Sequence, residues 1–169
     1  VEIGGRTGSV EKINLKTTVL RDTDGSVFII PNGEITSVKN MTYTWSRAIL
    51  DIGVSYDADL DKTMEILQSV GDELASDPKL AADIWGRPEV LGVENLDSSS
   101  VVLRMLVKTR PLTQWQVARL FKKRIKEALD QAGIEIPFPQ QVVILRADPE
   151  MMKLFKGFGS SDSERKPRE

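Results

Sequence analysis

Histidine and cysteine are both absent from the 169-residue chain. Without an imidazole or a thiol there is no Ser-His-Asp or Cys-His nucleophile system, no HExxH zinc site and no thiolate cluster. Catalysis by carboxylate, Lys, Ser or Tyr stays open. A disulfide framework is equally excluded, so stability must come from core packing or assembly, and the redox compartment is not legible from cysteine. Neither sign of charge is in excess: 23 Lys plus Arg face 25 Asp plus Glu, for a net charge of −2 and a pI of about 5.4. That balance argues against a general nucleic-acid binder, which carries a net positive field to displace counterions from phosphates. Long apolar runs are missing too. The most apolar stretch, Val101 to Val107, is broken by Arg104, far short of the roughly 18 residues that a spanning helix requires. The opening VEIGGRTGSVEK sets Gly and charge where the apolar region of a signal peptide would be. What is present is 40% apolar and 28% charged, the composition of an ordinary soluble globular chain with room for one medium domain or two small ones. Because it opens on Val1 in what reads as the middle of a strand, the chain is expected to be a piece of a longer protein.

Residues 1–44 read as short strands joined by Gly turns. In EKINLKTTV the residues Ile13, Leu15, Thr17 and Val19 alternate with Asn14, Lys16 and Thr18, the period of a strand with one face buried. Asp24-Gly25 supplies a two-residue signal for a tight hairpin, VFII is the return strand, and Pro31-Asn32-Gly33 ends it. A last strand is expected over Glu34 to Tyr43. This makes an all-β unit of residues 1–45, small for an independent core. From Arg47 the pattern lengthens. AILDIGVS reads as a strand, and Leu60, Met64, Leu67, Val70 and Leu74 recur at helical spacing. Loop signals follow at Asp77-Pro78 and Gly86-Arg87-Pro88. VLGVENL and SVVLRMLVKT are two strands turned at Asp97 to Ser100. Thr113 is expected to cap a second helix, Gln114 to Ala132, with Val117, Phe121, Ile125, Ala128 and Ala132 on one side. Gly133 stands where a helix end favours left-handed geometry, and QVVIL is a final strand. The order β-α-β-β-α-β is the split βαβ or ferredoxin-like arrangement, so the fold class is α+β: a β domain, then a ferredoxin-like α/β domain over 46–140.

Several constellations invite chemistry and fail on spacing. Asp57-Ala58-Asp59-Leu60-Asp61 opens like an EF-hand loop, yet Lys62 replaces the required Gly and Gln68 the bidentate carboxylate; a negatively charged helix start is the better reading. Gly4-Gly5-Arg6-Thr7-Gly8 lacks the phosphate-loop spacing and reads as a tight turn. Arg119, Lys122, Lys123, Arg124 and Lys126 interleave with Val117, Leu120, Phe121 and Ile125, as the solvated face of an amphipathic helix does. Trp45, Trp85 and Trp115 are too scattered to suggest a base-stacking platform. No pair of carboxylates sits in a recognisable catalytic frame. The chain is therefore expected to be no enzyme, with no catalytic residue, metal ligand or cofactor site.

The stretch from Gly8 to Asn40, GSVEKINLKTTVLRDTDGSVFIIPNGEITSVKN, is similar to the signature of the small-conductance mechanosensitive channel family. The matching positions are Gly8, Val10, Ile13, Thr18, Leu20, Arg21, Asp24, Gly25, Ile30, Pro31, Asn32, Gly33, Ile35, Val38 and Asn40. A second match, Gly133-Ile134-Glu135-Ile136-Pro137-Phe138-Pro139-Gln140, resembles the IPFPQ element that follows the family's last helix. Tyr43 departs from the pattern, standing where the family often has Arg. The resemblance implies a membrane channel of a bacterium or archaeon whose transmembrane helices, absent from this chain, precede an Sm-like β domain and an α/β domain. Both would form a cytoplasmic cage with side portals, closed by seven identical subunits, through which permeating ions reach the pore; no nucleic acid is implied. Strand topology alone would make residues 141–146 the fourth strand of the ferredoxin-like sheet. The resemblance sends residues 141–147, with Val142 and Ile144, to a small barrel of one strand per subunit, followed by a flexible tail over 148–169. The favoured expectation is the barrel. The alternative function, from another class, is a soluble RNA-binding or ligand-sensing module built on the same two folds.

Overall fold

The period-two patterns of SRAILDIGV and VVLRMLVKT each give one buried and one open face, and in the computed structural model, which describes residues 1–139, they pair directly. Strands β1 to β5 (Glu2–Ile3, Arg6–Thr7, Ser9–Ile13, Thr17–Arg21 and Val27–Pro31) precede them in the chain, so the first is β6 (Ser46–Val54) and the second β8 (Val101–Thr109). They run antiparallel with Leu50 opposite Met105 and Asp51 opposite Arg104. β7 (Glu89–Leu96) flanks β8 on its other side, giving the order β6-β8-β7. Helices α1 (Leu60–Ser76) and α2 (Gln114–Gln131) cover one face. There Leu50, Val54, Leu103, Met105 and Val107 of the strands pack with Leu67 and Leu74 of α1 and Phe121, Ile125 and Leu129 of α2. One covered and one open face is what strict alternation demands.

The helix ends follow from local chemistry. The Asp59 carboxylate accepts the Lys62 N–H at 3.1 Å and caps α1. Gly133, at φ +70°, ends the turn after α2, and the Ile134 N–H returns to the Leu129 carbonyl at 2.9 Å, closing the last carbonyls as a left-handed cap does. One expectation is corrected. Thr113 is itself helical and its hydroxyl donates to the Arg110 carbonyl at 2.9 Å, so it is spent on the preceding turn and caps nothing. On α2 Ala128 and Ala132 share the core-facing side with Val117, Phe121 and Ile125 as expected, half-buried, and Leu129 adds a fully buried residue in the last turns.

The N-terminal sheets are smaller. β1 and β2 form a hairpin turned at Gly4-Gly5, both at positive φ. β3, β4 and β5 form an antiparallel sheet in that order, over a core of Ile3, Leu20 and Ile30. Four expectations fail here. EKINLKTTV is not one strand: the Asn14 N–H closes on the Thr17 carbonyl at 2.8 Å, and this turn separates β3 from β4, as Asn side chains near a turn favour. The buried set also has the opposite parity, Thr18 and Leu20, while Ile13 and Leu15 are 71% and 94% exposed. The hairpin at Asp24-Gly25 is a five-residue connection, 22–26, with Asp22 and Ser26 paired at its base and Gly25 at φ +91°. Glu34 to Tyr43 forms no strand. A single turn of 3-10 helix, Asn32–Glu34, redirects the chain, and only Lys39 pairs, with Glu2, because two-residue β1 is too short to carry a ladder.

Residues Val1–Phe138 make one compact unit in which the two larger sheets share no strand. The element run β6-α1-β7-β8-α2 matches the first five members of the expected β-α-β-β-α-β order. The sixth, over 141–146, lies outside the described residues, as do Gln140, Val142, Ile144 and the 148–169 tail.

Candidate functional site

The resemblance residues of the β region come together as a set of turn locks. Asn32 is the hub. Its side-chain amide donates to the carbonyls of Asn14 at 2.9 Å and Leu15 at 3.2 Å, its Oδ1 accepts the Thr18 hydroxyl at 2.8 Å, and its backbone N–H reaches the Lys16 carbonyl at 2.8 Å. One residue thereby ties the β3–β4 turn to the end of β5. Arg21 works at the other end of the same strands, pairing with Glu11 and donating to the Gly25 carbonyl at 2.7 Å. That contact raises the Arg21 pKa and lowers that of Glu11, in both cases first through the hydrogen bond. Asp24 accepts the Ser26 N–H at 2.8 Å, which holds its carboxyl below the usual range. Gly8 has a steric reason: a Cβ there would lie 2.6 Å from the Arg21 carbonyl oxygen, so only glycine lets β3 start this close to β4. Asn40 caps its own turn by accepting the Thr42 N–H at 3.1 Å. Pro31 ends β5 and starts the 3-10 turn with Gly33 inside it. These residues shape turns.

The second resemblance element is split from the first. Glu135 accepts the Ser55 N–H at 3.1 Å, tying the chain after α2 to the end of β6, while Phe138 projects into solvent, 81% exposed, between Pro137 and Pro139.

The open face of the β6-β8-β7 sheet carries the ordered charges. Arg104 of β8 forks onto Asp51 of β6, Nε to Oδ1 at 2.6 Å and Nη2 to Oδ2 at 2.8 Å, and its third nitrogen pairs with Glu94 of β7. The Arg104 hydrogen bond is the main reason that the Asp51 carboxyl lies below its ordinary pKa. Further along, Arg47 and Lys108 flank the ring of Trp45. Spacing could not reveal this group, because Arg47 and Lys108 are 61 positions apart and meet only through strand register. Where the β region approaches the start of α2, a cleft of about 380 Å³ is lined by Val10, Arg21, Met41, Leu112 and Trp115, with Leu112 at φ +73°.

The basic side chains of α2 behave as a solvated face. Arg124 pairs with Glu73 of α1 and with Glu127, Lys126 with Asp130, and Lys123 with Glu127 at 3.9 Å. Asp59 serves as the α1 cap, and among the described residues no group of acidic side chains is placed to hold a metal ion. Among the described residues, no helix is long and apolar enough to cross a membrane.

Comparison with known proteins bears on both regions. A family described as "Mechanosensitive ion channel, beta-domain" matches residues 1–43, and one described as "Mechanosensitive ion channel MscS, C-terminal" matches residues 48–136. A small-conductance mechanosensitive channel of Caldanaerobacter subterraneus subsp. tengcongensis is 37% identical over 145 residues, covering 86% of this chain and 50% of the relative. One of Edwardsiella ictaluri is 31% identical over 148 residues, with 86% and 50% coverage. The chain thus spans about half the length of these relatives. The closed-state crystal structure of Helicobacter pylori MscS superposes with a TM-score of 0.69 at 25% identity, over 87% of this chain and 57% of that one. Arabidopsis thaliana MSL1 shares the fold, with a TM-score of 0.59 at 16% identity over 82% of this chain and 51% of its own.

Proposed function

The chain belongs to the mechanosensitive ion channel MscS family, and from that premise we propose that it is the cytoplasmic vestibule of a channel that releases solutes when membrane tension rises in hypoosmotic shock. The observation that carries this reading is that the two family matches follow one another in order and divide the chain where its two larger sheets divide. The β region, 1–45, is read as an Sm-like domain and residues 46–140 as a ferredoxin-like domain; among the described residues β6 pairs only with β8, and its other edge is where a fourth strand of that fold would pair. On this reading the membrane helices belong to a portion of the protein ahead of Val1, and this region lies on the cytoplasmic side of the plasma membrane.

Physical chemistry supports assembly. Among the described residues, a β unit with three buried apolar residues and sheet edges that find no further strand gains by meeting copies of itself, which also removes the hazard of an unpaired edge. Seven copies would close a water-filled chamber, and residues 141–147, with Val142 and Ile144 facing their counterparts, would close its far end as a barrel. The family residues Asn32, Thr18, Gly8, Arg21, Asp24 and Gly25 hold the turns that present these edges. The region performs no chemistry and needs no cofactor; charge at the openings between subunits biases which ions enter. The family assignment does not favour a soluble RNA-binding or ligand-sensing module.

Expression of the full-length protein in cells that lack such channels is expected to restore survival after abrupt osmotic downshock. Well-expressed protein that fails to protect would reject the channel role. In the same protein, with any cysteine outside this chain replaced by serine, Val142→Cys is expected to crosslink neighbouring subunits, and its failure to do so would remove the barrel.

A further inference from the structure

Trp45, Arg47 and Lys108 meet on the open face of the α/β sheet. Arg47 of β6 and Lys108 of β8 are direct partners in the ladder, so two positive charges stand side by side, an arrangement that sheets disfavour. Both lean on one ring: the Arg47 guanidinium carbon lies 5.2 Å and the Lys108 ammonium 5.0 Å from the Trp45 ring centre. Among the described residues neither cation has a carboxylate within ion-pair distance. The other arginines of this strand and its end are neutralised, Arg104 by Asp51 and Glu94 and Arg110 by Asp83. Carboxylates are supplied along β8 and withheld here.

The backbone adds a second, independent sign. Trp45 is presented by a three-residue turn in which its N–H donates to the Tyr43 carbonyl at 2.7 Å across Thr44, which is held at φ +62°. A β-branched residue in that region is strained, and the positive-φ form of this turn is rare. Such strain persists only where the surroundings impose it, and it gathers at ligand clamps. Trp45 remains 41% exposed, so ring and cations form an open notch.

We propose that this notch binds a small oxyanion, the carboxylate or phosphate group of a free solute. The guanidinium offers paired N–H donors matched to two oxygens, the ammonium offers a further charge-assisted donor, and the indole gives a flat wall for the ligand's carbon skeleton. An oxyanion relieves the repulsion between the two cations, and it fills the guanidinium fork as a halide does not. This site stands apart from the channel reading: a protein that binds the anion and passes no current keeps the site and loses the channel.

The test is equilibrium dialysis of the full-length protein with radiolabelled phosphate and, separately, glutamate, at constant ionic strength set with sodium chloride. Saturable binding is expected, weakened about tenfold or more in Arg47→Gln and in Lys108→Gln, as the loss of one charge-assisted contact implies, and largely restored in Lys108→Arg. Binding that does not saturate, or that is unchanged in the double Arg47→Gln/Lys108→Gln protein, would overturn the proposal. Displacement of labelled phosphate by phosphatidylglycerol micelles at concentrations far below those of glutamate would assign the notch to a lipid head group and overturn the free-solute reading.

Discussion

The two regions of this molecule spend their apolar residues in opposite ways. In the α/β region seventeen buried apolar side chains form one core between sheet and helices, whereas the β region buries three. The β region is not short of apolar residues; it displays them, with Ile13, Leu15, Val27, Ile29 and Val38 all exposed. Three side chains do little against the entropy of ordering some forty residues, so hydrogen-bonded turns such as those around Asn32 carry much of the local order. The α/β core closes on itself, whereas the β region leaves much of its apolar surface uncovered.

The sharpest test of that contrast is a matched pair of cavities. Phe121→Ala, at a site with no exposure, is expected to lower stability by about 3–5 kcal/mol in urea unfolding and to unfold the α/β region. Leu20→Ala, equally buried, is expected to melt the β region alone, seen as lost amide-exchange protection in β4 and β5 with that of β6 and β8 retained. Equal loss in both regions would show one cooperative unit and end the comparison.

A smaller effect sharpens it. Asn32→Ala removes the hydrogen bonds to Thr18, Asn14 and Leu15 and is expected to cost about 1–3 kcal/mol, confined to β3–β5 by the same exchange measurement. Unchanged protection there would mean that the turn locks are incidental.

The smallest effect concerns the open face of the α/β sheet. Because Arg104 holds the Asp51 carboxyl below its ordinary value, that pair adds stability above the unfolded Asp value of about 3.9 and loses it as pH falls through the folded one. The urea midpoint of Arg104→Gln should therefore lie below that of the parent at neutral pH, and the gap should close as pH drops below about 4. The gap should be modest, because Asp51 is well exposed and water screens the pair. A gap independent of pH would assign the role of Arg104 to packing.

Reading the sequence succeeded where local periodicity and burial agree. Leu67, Val70 and Leu74 on α1, and Val117, Phe121 and Ile125 on α2, face the sheet as their spacing requires. In the β region its assignment of the buried face failed for one physical reason. Alternation identifies a buried face only if the apolar face is the one that is buried, and Ile13 and Leu15 point away from the small core while Thr18 is shielded. The resemblance residues were legible one by one, but their purpose was not: that Gly8 sits against the Arg21 carbonyl, or that Asn32 bonds to Asn14, depends on contacts across turns.

By itself the sequence determined the helix and strand types of the α/β region, the absence of imidazole and thiol chemistry, and the family, because each is written in residue identity or in short-range period. Only the tertiary structure decided which cations are neutralised. Arg104 meets Asp51, and Arg47 meets Lys108 and Trp45, through the register of β6 on β8. Register is set by the packing of whole faces, and no local stretch of sequence contains it.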